Sequence, residues 1–252
     1  MILSVENLSV AYGGKRIVHD INFSVKRGEI LIIAGESGSG KSTILKAIGS
    51  LLEKGGAIID GQIFFDGQEI TILSDKQRRK ISGDKIGMIF QNAGASFCPI
   101  RKIGEQIFES VRAHRSWDKK FFRARAEEIM LKINLAPEVL EEYPFKLSGG
   151  MAQRAGILAA TILEPKLLLA DEPTSALDAV TQVSVVKELL KLRERLKISI
   201  ILVTHNLKIA KFMADKVLII KKGAAVEYGT REQIFNAPKK IYTQELLRAA
   251  NL

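Results

Sequence analysis

The 252-residue sequence has one cysteine, Cys98, which excludes an internal disulfide or a cysteine-rich metal site and agrees with a reducing compartment. No run approaches the ~20 apolar residues of a bilayer-crossing helix. The longest candidate, residues 155–163, is interrupted by Gly156 and Thr161, so a membrane role requires a partner chain. The opening Met1-Ile2-Leu3-Ser4-Val5-Glu6 lacks the basic segment, apolar core and cleavage site of a secretory signal, and none is expected. Acidic residues are in deficit, with 28 Asp and Glu against 38 Lys and Arg, for a formal charge of +10. That balance suits nucleic acid, an anionic membrane face or a charged nucleotide, and does not choose among them. Internal repeats and low-complexity linkers are also missing. What is present is 46% hydrophobic content, enough for one large domain or a core with a smaller subdomain.

The most informative stretch is Gly35-Glu36-Ser37-Gly38-Ser39-Gly40-Lys41-Ser42-Thr43, which fits G-x-x-x-x-G-K-[ST]. The apolar run Ile30-Leu31-Ile32-Ile33-Ala34 precedes it and reads as a buried strand; Ile44, Leu45, Ile48, Leu51 and Leu52 follow at helical spacing. Strand, glycine-rich turn and helix is the context in which backbone N–H groups wrap phosphates, Lys41 reaches the β and γ phosphates and Ser42 takes Mg2+. Without that context, the same pattern would be a glycine-rich turn and nothing more.

Around it, residues 2–33 alternate as a small antiparallel sheet, and Tyr12, before Gly13-Gly14, reads as surface packing or as a ring able to stack on adenine. Residues 61–67 read as a short strand between turns, and residues 76–80 as a solvated basic helix face. Residues 86–90 form a strand ending in Gln91, placed to reach a metal or an attacking water. From residue 92 to 162 helical spacing takes over, through Ile103, Ile107 and Val111, then residues 121–131, with a break at His114-Arg115-Ser116-Trp117. Leu147-Ser148-Gly149-Gly150-Met151 then opens a helix whose free N–H groups offer an anion site, or only a capped helix start. A strand at Leu167-Leu168-Leu169-Ala170 ends in Asp171-Glu172, suited to an outer-shell Mg2+ ligand and to orienting water, or to a solvated strand end. Ser175-Ala176-Leu177-Asp178 opens a helix with Val183, Val186, Leu189, Leu190 and Leu196 on one side. Residues 198–203 make a strand ending at Thr204-His205-Asn206, where His205 could touch a γ-phosphate oxygen or be structural. His19 and His114 lie near no phosphate motif in sequence and receive no role. Residues 217–227 read as a hairpin and residues 233–252 as two short helices around Pro238.

Taken together and in this order, these motifs resemble the ATP-binding subunit of ABC transporters over nearly the whole chain. The resemblance implies an α/β P-loop NTPase (RecA-like) core with an N-terminal antiparallel β subdomain and an inserted helical subdomain, divided as 1–91 with 163–252 and 92–162. It further implies that Tyr12 stacks on adenine and that residues 35–43, with Gly35, Ser37, Gly38, Ser39, Gly40, Lys41, Ser42 and Thr43, bind the nucleotide. Gln91 becomes the Q-loop residue, Asp171 the Walker B ligand, Glu172 the general base and His205 the switch histidine, with Ser42, Gln91 and Asp171 serving Mg2+. In that family two subunits meet head to tail, so the signature Ser148, Gly149 and Gly150 and the D-loop Asp178 act on the ATP of the other subunit.

Met88-Ile89-Phe90-Gln91, Ser96-Phe97-Cys98-Pro99, Tyr143-Pro144-Phe145 and the tail from Phe235 to Leu247 look most like the peptide/nickel importer branch, closest to its nickel or metal–chelate members. Met151 replaces the usual Gln of the signature, while Asn92-Ala93-Gly94 and Cys98 depart from the usual residues after the Q-loop. The expected partners are two transmembrane permease subunits, a second, similar ATPase subunit and an extracytoplasmic solute-binding protein, with Phe97-Cys98-Pro99-Ile100 in the docking surface. The expected place is the cytoplasmic face of the membrane. Two rivals remain at this level. A non-transport ABC ATPase working on nucleic acid or ribosomes usually has a coiled-coil insertion or a second cassette, and this sequence has neither. A small-molecule P-loop kinase gives no reason for the Leu147–Gly150 segment.

Overall fold

The alternating N-terminal stretch forms strands β1 (Leu3–Tyr12) and β2 (Lys15–Val25), followed by β3 (Ile30–Ala34), helix α1 (Lys41–Ile48), β4 (Gly56–Phe65) and β5 (Gln68–Glu69). The computed structural model describes residues 1–175 and 177–252, so Ala176 of the Ser175-Ala176-Leu177-Asp178 segment lies outside the described residues. Contacts divide the chain into two compact units, residues 1–79 with 199–252, and residues 80–198. Helix α2 (Asp75–Ile81) spans the first boundary, and it carries the basic run, with Lys76, Arg79 and Lys80 exposed.

The second unit contains β6 (Ile86–Ile89), α3 (Ile103–Arg112), α4 (Lys119–Lys132), α5 (Gly149–Thr161), β7 (Leu167–Asp171) and α6 (Ala179–Leu196). The chain then returns to the first unit through β8 (Ser199–Thr204), α7 (Leu207–Met213), β9 (Lys216–Lys221), β10 (Ala224–Thr230), α8 (Arg231–Asn236) and α9 (Ile241–Ala249). Division by contacts differs from division by sequence character because β6 and β7 group with the helices between them.

In the first unit the strand order is β5-β4-β1-β2-β10-β9-β3-β8. The β1–β2 and β1–β4 pairs are antiparallel, whereas β3 runs parallel to both β8 and β9. All five residues of β3 are buried, as a strand with two hydrogen-bonded neighbours and covered faces requires. In the second unit β6 and β7 pair in parallel, with Ile89 opposite Ala170. Among the described residues no helix is long and apolar enough to cross a membrane.

Four local expectations need correction. The helix after the phosphate loop ends at Ile48 with Gly49 as its C-cap, so Leu51, 40% exposed, and Leu52 lie past it. The strand expected between Gly61 and Gly67 begins at Gly56; Gly61 does not stop it, because its φ of 88° accommodates an irregularity in pairing with β1 between Glu6 and Ser9. Phe90 lies beyond β6 and is 42% exposed. On α6, Val183 is 53% exposed and the inward face holds Val185, Val186, Leu189 and Leu192. Glu188 shares that face, so counting apolar residues alone misplaces the stripe.

Ile32, at the middle of β3 and 0% exposed, has β8 on one side and β9 on the other. Ile32→Ala should lower the free energy of urea unfolding by about 3 kcal/mol, the usual cost of such a cavity. A loss below about 1 kcal/mol would mean that the strand can collapse around the gap.

Candidate functional site

In the first unit, the phosphate loop lies between β3 and α1, at the carboxyl ends of parallel strands. Ala34 pairs with Thr204 in β8 and with Ile219 in β9, so His205 begins just where Gly35 begins on the neighbouring strand. His205 is exposed, and Asn206 beside it caps α7 by accepting from Lys208 N and Ile209 N. Gly35 has no alternative: its φ is 152°, and a Cβ there would stand 2.1 Å from the Ile220 carbonyl oxygen. Lys41 is 5% exposed, and its Nζ donates to the carbonyls of Gly35 at 2.9 Å and Glu36 at 2.7 Å.

The Ser39 hydroxyl is buried and has no protein hydrogen-bond partner, and the first turn of α1 carries no acidic residue and no side-chain cap. A buried hydroxyl without a partner, next to an uncapped helix start and a buried ammonium, is an environment suited to phosphate oxygens. Ser37 and Gly38 are exposed at the tip of the loop, while Gly40 is buried at the N-cap; Ser42 and Thr43 fall in the first turn of α1.

The sequence did not reveal what holds this loop from behind. Gly223, at the turn between β9 and β10, donates its N–H to the Ser39 carbonyl at 2.9 Å and accepts from His19 N at 2.8 Å. His19 is therefore one residue removed from the phosphate loop, although nothing in the sequence near position 19 indicates it. On α9, Tyr242 has the Lys221 ammonium 4.0 Å from its ring centroid; burial, then the neighbouring Glu36 carboxylate, raises its phenol above the ordinary value. Tyr12 closes β1 opposite Lys15 and Gly56, and its ring occupies the space where a Gly56 Cβ would stand.

In the second unit, parallel pairing of β6 and β7 places Gln91 and Glu172 two residues beyond the paired Ile89 and Ala170. The Gln91 amide donates to Glu172 Oε2 over a long 3.4 Å. Asp171 is 6% exposed at the end of β7. Glu172 has a φ of 43°, a left-handed conformation that turns the chain sharply off the strand, and its carbonyl accepts from Ser175 N and Oγ. Among the described residues no cluster of three or more His, Cys, Asp or Glu is arranged to hold a metal.

Ser148 is the N-cap of α5, accepting from Met151 N at 3.3 Å, and Ser148 and Gly149 are exposed. A 560 Å³ cleft in this unit is lined by Gln91, Phe97, Pro99, Phe145, Gly149 and Leu177, among others, so the residue after β6 and the start of α5 share one hollow. Gln106 braces its rim. Its side chain accepts from Cys98 N at 2.7 Å and donates to the carbonyls of Cys98 and Arg101, a role without any sequence signal. Asp178 caps α6, accepting from Val180 N, Thr181 N and, at 2.6 Å, Thr181 Oγ1. His114 lies against Gly83.

The Thr181 hydroxyl, followed by the backbone amides, holds the Asp178 carboxyl below its ordinary pKa. A depressed carboxyl pKa means that the cap is at full strength above the unfolded value, weakens as pH falls below it, and is lost below the folded value. Hydrogen exchange of the Val180 and Thr181 amides should therefore lose protection only at pH values below the ordinary range of aspartate. With Asp178→Asn, whose amide oxygen still accepts, protection should no longer change in that window; an unchanged pH dependence would show that another group titrates.

The profile of the family described as ABC transporter matches residues 18–175. The dipeptide transport ATP-binding protein DppD of Escherichia coli K12 is 39% identical over 254 residues, covering 98% of this chain and 78% of DppD. The metal-staphylopine import system ATP-binding protein CntD of Staphylococcus aureus Mu50 is 37% identical over 251 residues, covering 98% of this chain and 92% of CntD. The dimeric post-hydrolysis structure of the ATP-binding cassette MJ0796 with ADP and Pi matches with a TM-score of 0.81 and 30% identity, covering 91% of this chain and 99% of that one.

Proposed function

Because the chain belongs to the ABC transporter family of ATP-binding subunits, we propose that it hydrolyses Mg·ATP at the cytoplasmic face of a membrane to energise an importer of nickel, a metal chelate or short peptides. The observation that carries this reading is the presence, in one chain, of a phosphate loop between β3 and α1 and a second exposed anion-type helix start at Ser148. The substrate class is supported by DppD and CntD, whose names specify dipeptide transport and metal-staphylopine import.

Residues 35–43 grip the triphosphate through backbone N–H groups, Lys41 and the hydroxyls of Ser39, Ser42 and Thr43, with Tyr12 against the adenine. By the family resemblance Ser42, Gln91 and Asp171 would hold Mg2+ through a hydroxyl, an amide oxygen and a carboxylate, which suit a hard cation that keeps several waters. The cation would supply charge neutralisation to the triphosphate. Glu172 accepts a proton from the water that attacks the γ phosphorus, Gln91 orients that water, and His205 donates toward a γ oxygen. The bond from the γ phosphorus to its bridging oxygen breaks, leaving ADP and phosphate.

The other face of the nucleotide is completed by Ser148, Gly149, Gly150 and Asp178 of a second subunit, a similar distinct chain or another copy. Exposure of Ser148 and Gly149 supports this, since both lie at the surface of their own unit. In this reading, residues 92–162 are the arm that carries the signature. The cleft beside Gln91, with Phe145 71% and Ile100 81% exposed near it, takes a permease segment, so that each closure is transmitted to the membrane. The assembly comprises two permeases, two ATPase subunits and a solute-binding protein on the far side.

Glu172→Gln should retain ATP binding and lower steady-state hydrolysis by about a hundredfold or more, the usual contribution of a general base; unchanged turnover would reject Glu172 in that role. Lys41→Ala should abolish binding of a fluorescent ATP analogue at concentrations that saturate the parent, and normal binding would reject the phosphate-loop assignment. Chelation by EDTA should stop hydrolysis, and added Mg2+ should restore it.

A further inference from the structure

The two parts that act on the opposing nucleotide in this reading, the signature and Asp178, stand at the starts of two different helices, and the second unit ties those helices together. Arg154, on α5, reaches Glu188 on α6. Its Nε bonds to Oε1 at 3.2 Å and Oε2 at 3.1 Å, and its Nη2 bonds to Oε1 at 2.9 Å and to Ser184 Oγ at 3.1 Å. Glu188 is 1% exposed, and it also accepts from Ser184 Oγ at 3.0 Å and from Asn134 Nδ2, just past α4, at 3.2 Å. Nearer the helix starts, a Cβ on Gly150 would stand 3.1 Å from Thr181 Cγ2 and 3.3 Å from Arg154 Nη1. Thr181, in turn, donates its hydroxyl to Asp178.

Gly150 therefore leaves no room for a side chain between itself and Thr181 and Arg154, while hydrogen bonds tie Thr181 to Asp178 and Arg154 to Glu188. A buried ion pair is a poor device for stability alone, because apolar residues of similar size often serve as well. What it adds is direction: a planar guanidinium bonded to both oxygens of one carboxylate fixes how two helices face each other.

We propose that Arg154 and Glu188, with Thr181, are positioning residues that lock the signature and Asp178 into one unit, so that both reach the partner's nucleotide at a fixed spacing. The consequence for catalysis rests on the head-to-tail reading above; the locking itself does not. Arg154 and Glu188 touch no nucleotide. They act through the two helix starts.

The test uses the full chain with Cys98→Ser, nitroxides at Phe145→Cys and Val180→Cys, both highly exposed positions, and dipolar EPR with and without Arg154→Met/Glu188→Met. The parent should give one narrow distance, and the double variant a distribution at least about twice as broad at a nearly unchanged melting temperature. Combined with Glu172→Gln, the double variant should form ATP-driven dimers at least about tenfold less readily, while its affinity for a fluorescent ATP analogue stays within about twofold, because phosphate binding belongs to the other unit. Thr181→Val, which keeps the shape and removes only the hydroxyl, should weaken dimer formation in the same direction and serves if the double variant fails to fold. An unchanged narrow distance, or dimer formation as in the parent, overturns the proposal. A chain with the narrow distance that never dimerises with ATP, alone or with its companion ATPase, rejects the head-to-tail reading instead, and the EPR result still decides the lock.

Discussion

Strand β3 is hydrogen-bonded on both sides and buried at all five positions, so the chain can present chemistry only where it leaves the strand, beside the ends of β8 and β9. Parallel pairing brings the carboxyl ends of these strands to one edge, which is why ligands of open α/β sheets collect there. Gly35 follows because a side chain would strike Ile220; Lys41 follows because the helix must begin within a few residues; His205 follows because β8 ends level with β3. The second unit repeats the device with β6 and β7, whose parallel register sets Gln91 beside Glu172. Each unit therefore gathers its strand-end polar groups with the same physical device, parallel strands cut off at a common level.

Local patterns were legible in the sequence, and long-range contacts were not. The phosphate loop could be read because strand, turn and helix are contiguous, and β6, β7 and β8 because each is a short apolar run ending in polar residues. His19 could not be placed because its link to the loop passes through Gly223, some two hundred residues on. Gln106 carries no pattern of its own, since a glutamine that braces four backbone groups looks in sequence like any surface glutamine. The face of α6 was misread for a physical reason: a carboxylate with four hydrogen-bond donors around it can occupy a core position, and periodicity counts treat it as solvent-facing. The family resemblance joined motifs that local reading left with two meanings each, such as Ser148 as a cap or an anion site.

The helix starts show how one feature serves two ends. Ser148 and Asp178 each cap their own helix, which folding alone would require. Neither cap exhausts its residue, because the Ser148 hydroxyl still has a proton to donate and Asp178 stays exposed with its charge held by Thr181. A residue recruited for folding and left at the surface is available for recognition without further rearrangement.

The left-handed backbone of Glu172 has a consequence for how this position can change over time. Glycine, asparagine and aspartate enter that conformation most readily, and β-branched residues are nearly barred from it. Mutational drift at position 172 is therefore steered by the backbone toward side chains shorter than glutamate or without its carboxylate. Glutamate enters the same region at Glu164, with φ 54°, so the turn tolerates the residue, and what sets position 172 apart is its place just past β7 with its carboxylate beside Gln91.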